Sequence, residues 1–413
     1  MDLNTAEFIR VGTSFYAIVE RPTISGASEK VMIPWSKETL IMDLGRDAFL
    51  KIKKYYGFVC LPQHIEFQRE VDDFYNIYHP LDFDIDKTTA INYKELESKL
   101  DYTFKHLKHI FGSQFELGLD YLKILLEKPQ QILPVVCLVS NERETGKSLF
   151  PKFLRRIFSF NATYSFAESF INNFNGDIYG KLLLLVEEVV SDNQQVVEKI
   201  KYLSTADKNK FEKKGQDRVE GDAFFKIVLT SNFETTFIKI SPDETRFWVR
   251  KIPSIVKDPD FEQKLFLEIP DFLNYLIRRP YATIRKTRMW FTPDQIRTKA
   301  LLRLMNSESD LTKYKILGIL REIHENFDIK LILIAPKELS MISKKMHNRN
   351  FVTINEARNV LKSFGFGPTS NSFKYLGYEY LSHGEFVTID RVGRYYSVDY
   401  SQIEPFFDEN DES

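Results

Sequence analysis

The apolar positions of this chain change their period several times, and each change marks an element. From Leu133 to Val139 they run without interruption, with the length and β-branched content of a buried strand. A polar loop, Ser140 to Thr145, follows, then Gly146-Lys147-Ser148, and from Leu149 to Phe158 apolar and basic residues alternate at helical spacing. Upstream, Leu96, Leu100, Phe104 and Leu107 recur every three or four residues, and Leu117 to Leu126 forms a second apolar stripe that Pro129 ends. This predicts a helical collar over residues 93–128 leading straight into the strand. Two more buried strands are expected, Leu182 to Val186 and Phe224 to Leu229, the first ending in Glu187-Glu188 and the second in Thr230-Ser231-Asn232. A short aromatic strand begins after Arg246, and Arg250 follows three residues beyond Phe247.

The flanks are less regular. Residues 1–92 are aromatic-rich and interrupted by Pro22, Pro34, Pro62 and Pro80, which predicts a small mixed domain or an extended arm. Within it, Leu81-Asp82-Phe83-Asp84-Ile85-Asp86 alternates carboxylates that would share one strand face and hold a divalent metal. No second cluster of acids accompanies it, so a solvated strand edge or loop is the stronger expectation. Beyond 281 the pattern predicts helices at Pro293–Met305, Leu311–Asn326, Pro336–Lys345 and Asn355–Phe364. Two strands, Phe386–Ile389 and Arg394–Val398, flank a turn at Arg391-Val392-Gly393. Helices followed by a hairpin fit either a winged-helix module or an ordinary α+β packing domain. The whole reads as an α/β protein: a mixed region (1–92), a collar (93–128), a central parallel-sheet domain (129–280) and an α+β domain (281–413).

Composition narrows the function. The 413 residues carry a net charge of −1, so any nucleic-acid contact must come from local basic patches. The two cysteines, Cys60 and Cys137, have no metal spacing and suit a reducing compartment. No signal peptide or long apolar span is visible, which predicts a cytoplasmic protein without a membrane partner. His106 and His109 share a helix face, but no third ligand accompanies them, so a packed or solvated pair is expected. The acidic run Asp408 to Glu412 reads as a frayed tail.

The chemistry lies at the strand tips. Strand, loop, Gly-Lys-Ser and helix is the context of a phosphate-binding loop, where amide N–H groups at a helix N-terminus point at an anion. Asn141, Glu142, Arg143, Glu144, Thr145, Gly146, Lys147 and Ser148 would then cradle ATP, with Lys147 on the β- and γ-phosphates and Ser148 on Mg²⁺. Asn141 stands where the usual pattern has a first Gly, and Asn tolerates the left-handed turn. Glu187 and Glu188 would reach the sheet's carboxyl edge, one holding Mg²⁺ and the other polarising water; which does which is open. Asn232 can orient that water. Between Lys199 and Arg218, seven basic residues, among them Lys208, Lys210, Lys213 and Lys214, outnumber three acids. With Gly215 for a turn and Phe211 interleaved, they suit a nucleic-acid backbone.

This order of parts resembles the superfamily 3 helicases of small viruses, phages and plasmids, which are AAA+-related ring ATPases. It is most similar to the helicase part of phage and mobile-element primase-helicase proteins, strongly so over about residues 129–253. The resemblance implies that Asn141 to Ser148 is the Walker A loop, that Glu187 and Glu188 are the Walker B acids with Glu187 at the metal, and that Asn232 is the motif C sensor. It implies that Lys208 to Gly215 is a hairpin facing DNA in a hexamer pore. Arg246, with Arg250 as a near alternative, is the finger donated to a neighbour's nucleotide. The expected activity is ATP- and Mg²⁺-dependent 3′→5′ unwinding on single-stranded DNA, by a homo-hexamer acting with a primase or polymerase. A nucleotide-switched DNA-binding or primase-loading ATPase without unwinding is the alternative.

Overall fold

The computed structural model describes the chain except residues 1–6, 23–27, 86–91, 143, 172–174, 190–192, 213–218, 242, 256–257, 348–350, 382–383 and 405–413. The chain divides into two compact units, Met1–Leu302 and Arg303–Ser413.

The first unit begins with β1 (Glu7–Val11), β2 (Ser14–Pro22), β3 (Ser28–Trp35), α1 (Lys37–Leu50) and β4 (Lys53–Tyr55). These strands form a four-stranded sheet in the order β3-β2-β1-β4. A three-stranded sheet of β5 (Phe58–Val59), β6 (Glu70–Val71) and β7 (Phe74–Asn76) adjoins it, with Ile9, Val11, Tyr55 and Tyr75 as a small shared core. The region is therefore a mixed α/β part of the first unit and not an extended arm. Asp82 and Asp84 lie in a strandless stretch, and Asp86 falls outside the described residues. No group of three potential metal ligands occurs among the described residues.

Three helices follow: α2 (Tyr93–Glu97), α3 (Asp101–Phe111) and α4 (Phe115–Glu127). The free amides at the start of α3 are satisfied by one distant carboxylate. Glu268 accepts from the N–H groups of Tyr102 (3.0 Å) and Thr103 (2.7 Å), which also places negative charge at the positive end of the helix. α3 and α4 pack so closely at Gly118 that any Cβ there would overlap the Phe111 ring.

The centre is a five-stranded parallel sheet in the order β14-β8-β13-β10-β9: β8 (Val135–Val139), β9 (Ala162–Ser165), β10 (Leu183–Val186), β13 (Lys226–Ser231) and β14 (Phe247–Lys251). Every residue of β8, β10 and β13 is buried, as expected of parallel strands covered on both faces. After β8, α5 (Leu149–Phe158) buries Phe150, Phe153, Leu154, Ile157 and Phe158, spaced for one helix face. The chain then runs from β8 out to the edge strand β9, returns inward, and finally places β14 on the other flank of β8. That reversal makes the carboxyl end of β8 a topological switch point, where open α/β sheets bind ligands.

Between β10 and β13 lie α6 (Gln194–Leu203) and the antiparallel hairpin β11 (Lys208–Phe211) and β12 (Val219–Asp222). After β14 come α7 (Phe261–Leu267), α8 (Ile269–Arg278) and the one-turn α9 (Pro293–Ile296). Residues 281–302, read from sequence as the start of the last domain, belong with this unit. Trp290, Phe291 and Ile296 join its core. The fully buried Asp120 of α4 accepts from Arg279 Nη1 (2.6 Å), Ala282 N (3.1 Å), Thr283 N (2.7 Å) and Thr283 Oγ1 (2.7 Å). A buried carboxylate with four donors holds the segment firmly against α4.

The second unit opens on the body of α10 (Lys299–Phe327), 29 residues long. Sequence spacing splits this stretch near residue 306, yet the helix runs through. The break falls earlier, where Thr298 Oγ1 caps α10 by accepting from Leu301 N (3.0 Å). The unit continues with β15 (Leu331–Ile334), α11 (Pro336–His347), α12 (Ile354–Ser363), β16 (Phe373–Tyr380), β17 (Phe386–Gly393) and β18 (Tyr396–Asp399). β16 pairs with β17 and β15 with β18, both antiparallel. The expected turn at Arg391-Val392-Gly393 is therefore the end of β17, with Arg391 opposite Tyr375 and in an ion pair with Glu338 (2.9 Å). Among the described residues, no helix is long and apolar enough to cross a membrane.

Candidate functional site

The loop after β8, Glu188 and the tip of β13 meet at one cavity of about 710 Å³ at the carboxyl edge of the sheet. Its walls include Glu144, Thr145, Gly146, Lys147, Ser148, Glu188 and Asn232, all read from the sequence as site residues. Gly146 has φ +80°, a left-handed conformation natural to glycine. Glu144 also has positive φ (57°), while Asn141 does not, so the left-handed turn falls three residues later than expected. Asn141 has another task. Its N–H and Oδ1 make a reciprocal pair with Glu234, the N–H donating to Glu234 Oε1 (3.3 Å) and Oδ1 accepting from Glu234 N (3.1 Å). Glu142 is held by Ser254 Oγ (2.6 Å), and Arg143 lies outside the described residues.

Lys147 is buried, and its Nζ donates to the Glu142 carbonyl at 3.3 Å. Burial pushes this ammonium below the ordinary lysine range, with the nearby Glu188 opposing the shift. Thr145 Oγ1 is buried on the cavity wall with no hydrogen-bond partner among the described residues. Ser148 is exposed at the N-terminus of α5, its side chain making no capping bond.

The two acids after β10 separate. Glu188 lines the cavity, with φ 55° and its N–H donating to Thr230 Oγ1 (3.4 Å). Glu187 does not line it. Partial burial raises the Glu187 carboxyl, with Lys152 lowering it and Glu188 raising it further. Asn232 lies at the tip of β13, where Ser231 Oγ donates to Val189 O (2.6 Å) and so ties that tip to the loop carrying Glu188.

Sequence reasoning missed the wall contributed by α3. His109 Nε2 lies 2.8 Å from Thr145 O, so this ring nitrogen donates to the loop backbone. His106 lines the same cavity but is packed against Phe150, Phe153 and Phe261, and burial pushes its pKa down to about 3. The spacing of the two histidines on one helix face was the available signal; nothing in it pointed to a loop 36 residues on. Ile255, Asp258 and Phe261 complete that side.

Other expected site residues lie elsewhere. Arg246 precedes β14 at the amino edge of the sheet, opposite the cavity, and pairs with Glu244 (3.3 Å), which also meets Lys201 (3.4 Å). Arg250 is bound within its own unit: its Nε donates to Ile110 O (3.2 Å), its Nη1 to Gln114 Oε1 (3.0 Å), and burial lowers its pKa. Lys208 and Lys210 are exposed on β11, Lys208 paired with Asp222. Lys213, Lys214 and Gly215 lie outside the described residues. Phe211, interleaved with the basic residues in the sequence, is buried against Tyr179 and Phe225 and not open to a base, because period-two alternation on β11 sends it inward with Asn209.

A profile described as a family of unknown function (DUF5906) matches residues 138–250, the span from β8 to β14. No curated protein sequence matches the chain significantly. Among solved structures, the chain is similar to the apo C-terminal region of NrS-1, residues 305–718, at 14% identity and a TM-score of 0.55, over 96% of both chains. An A-form apo structure of the same region gives 14% identity and a TM-score of 0.53, over 96% of this chain and 97% of that one. At such identity the likeness is one of fold.

Proposed function

We propose that this chain is an ATP- and Mg²⁺-dependent motor of the superfamily 3 kind. In this reading identical subunits, six by the family resemblance, form a ring that translocates on single-stranded DNA. The ring separates strands during replication of a phage or mobile element, beside a primase or polymerase. The observation that carries the reading is the convergence of Gly146, Lys147, Ser148, Glu188 and Asn232 on one cavity at the topological switch point.

The residues present fit a nucleotide. Among the described residues, Thr145 Oγ1 is an orphaned buried hydroxyl and Lys147 donates to a neutral carbonyl, and Gly146 leaves the backbone open to close approach. Lys147 would hold the β- and γ-phosphates, aided by the amides that open α5. Ser148 Oγ and a Glu188 or Glu187 carboxylate are hard oxygen donors, suited to a Mg²⁺ ion that takes its remaining ligands from phosphate and water. Bound there, the ion would neutralise charge developing on the phosphate oxygens. Glu188, facing the cavity, would polarise the attacking water, and Asn232 would orient it. His109 fixes the Thr145 carbonyl and so holds the loop in shape. Arg246, remote from its own cavity, suits donation to a neighbour, whereas Arg250 is already committed to Ile110 and Gln114. The α11–α12 pair followed by the β16–β17 hairpin favours the winged-helix reading of the second unit.

The test is ATP hydrolysis with and without single-stranded DNA, together with strand displacement from a tailed duplex. Wild type should hydrolyse ATP, be stimulated by DNA and displace the strand. Lys147→Ala should lose roughly 10²-fold or more of the hydrolysis. Undiminished hydrolysis in that variant rejects the nucleotide site. Stimulated hydrolysis without displacement rejects the helicase in favour of a nucleotide-switched loader.

A further inference from the structure

A second cavity, of about 530 Å³, opens at the amino edge of the sheet, beside the turn that precedes β8. β8 spans roughly 17 Å at 3.3 Å per residue, so this groove and the nucleotide cavity lie at opposite ends of the same strand. Lys128, Arg285 and Arg288 line it, together with the exposed amides of Gln63 and Gln130. Two carboxylates also line it, but they differ. Glu127 is already neutralised, by Lys123 Nζ (3.0 Å) and the Tyr281 hydroxyl (2.7 Å). Asp207 alone remains to face three cations.

The two guanidinium groups are unspent among the described residues, and Lys128 meets only aromatic faces there. Arg285 and Arg288 are exposed, and neither side chain has an ion pair or hydrogen bond among the described residues. Lys128 lies over the rings of Tyr281 (5.0 Å) and Trp290 (4.6 Å) and, among the described residues, has no carboxylate partner. The scaffold beneath them is rigid. Asp120 pins residues 282 and 283, Trp290 Nε1 donates to Thr283 Oγ1 (2.9 Å), and Gln131 Nε2 donates to both Ile132 O (2.8 Å) and Arg288 O (2.7 Å), joining the two turns. Well-buried anchors thus support guanidinium groups that end in solvent. Forked donors beside amides match the oxygens of a phosphodiester.

The groove is also continuous with β11. Asp207 lines it, its carbonyl accepts from Ala223 N (2.9 Å) at the root of the β11–β12 hairpin, and the next residues on that strand are the exposed Lys208 and Lys210. The geometry points to a second track for single-stranded nucleic acid, in which Lys128, Arg285 and Arg288 bind the phosphate backbone ahead of the hairpin lysines. This deepens the motor reading and rests on it for the identity of the polymer. It also answers a net charge of −1: backbone contact is concentrated in one local patch.

The experiment measures binding of a fluorescent oligo(dT) to the full chain between 50 and 200 mM salt, and binding of a fluorescent ATP analogue in the same samples. Arg285→Gln with Arg288→Gln removes two phosphate contacts, each contributing about 0.7 to the salt slope. Wild type should therefore lose roughly sevenfold more affinity than the variant across that fourfold salt change. Arg285→Lys with Arg288→Lys should keep the wild-type slope, and both variants should bind the ATP analogue normally. Equal slopes for wild type and the Gln variant overturn the track, as does polyglutamate competing as well as unlabelled oligo(dT). Wild type that binds the ATP analogue but no oligo(dT) overturns the track and the DNA part of the motor reading while sparing the nucleotide site. Slope loss in a protein that binds no ATP analogue supports the track and rejects the motor.

Discussion

At the scale of single residues, the two acids after β10 take different positions, and the proposed motor would give them different work. Glu188 faces the cavity and Glu187 does not, so Glu188→Gln should abolish hydrolysis while retaining the ATP analogue. Glu187→Gln should shift only the Mg²⁺ concentration needed. Equal losses of turnover at saturating Mg²⁺ would contradict this division. The sequence could pair these acids but not part them, because the choice depends on the positive φ at 188, which no periodicity reveals. Two histidines carry a different prediction. Burial holds His64 and His106 neutral, with pKa values pushed down to about 4 and about 3 from an ordinary 6.5. Below pH 6.5 the unfolded chain binds more protons than the native one, so stability is full above that pH and falls below it. Each histidine removes about 1.4 kcal/mol per pH unit, down to about pH 4 for His64 and about pH 3 for His106. Denaturant titrations of His106→Leu between pH 6.5 and 4 should show a correspondingly shallower fall than wild type. An unchanged slope would contradict it.

At the scale of elements, the buried strands and the helix after the loop were legible because uninterrupted apolar runs and a 3.6-residue period survive translation into three dimensions. β8 and α5 lie where Leu133–Val139 and Leu149–Phe158 predict them, to within two residues. β16 was not legible, because Gly377 interrupts its pattern. That glycine is required by the buried Glu338 carboxylate, which occupies the space a Cβ would take. Lost with β16 was the correct hairpin, since β17 then seemed to turn back at residue 391. α3 shows a similar dependence on a partner far along the chain. Its placement against α4 rests on Gly118, and its His109 reaches the loop. Gly118→Ala would force the Phe111 ring aside at a cost of about 1–3 kcal/mol. Thermal melting should show a lower midpoint, and ATP-analogue affinity should fall with it because His109 moves with α3. A variant as stable as wild type would mean that the two helices part without strain.

At the scale of the whole molecule, the proposed ring would complete its chemistry between subunits, because Arg246 and the cavity lie at opposite edges of the sheet. Arg246 stands at the amino edge, away from its own cavity, so Arg246→Ala and Lys147→Ala should each be inactive. Mixed together they should recover part of the hydrolysis, since an intact loop on one subunit then meets an intact Arg246 on its neighbour. No recovery despite co-assembly on a sizing column would remove that role from Arg246. The arrangement also sets two demands on the protein against each other. Glu144 and Glu188 hold left-handed backbone at φ 57° and 55°, a conformation that costs a side-chain-bearing residue about 1 kcal/mol or more and glycine almost nothing. A library selected only for heat resistance should therefore enrich Glu188→Gly, gaining tolerance to temperature as it discards the carboxylate to which the proposed motor assigns turnover. Variants evolved for durability alone would drift toward a well-folded protein without the proposed turnover, and only a screen that scores ATP consumption beside melting would hold position 188 in place.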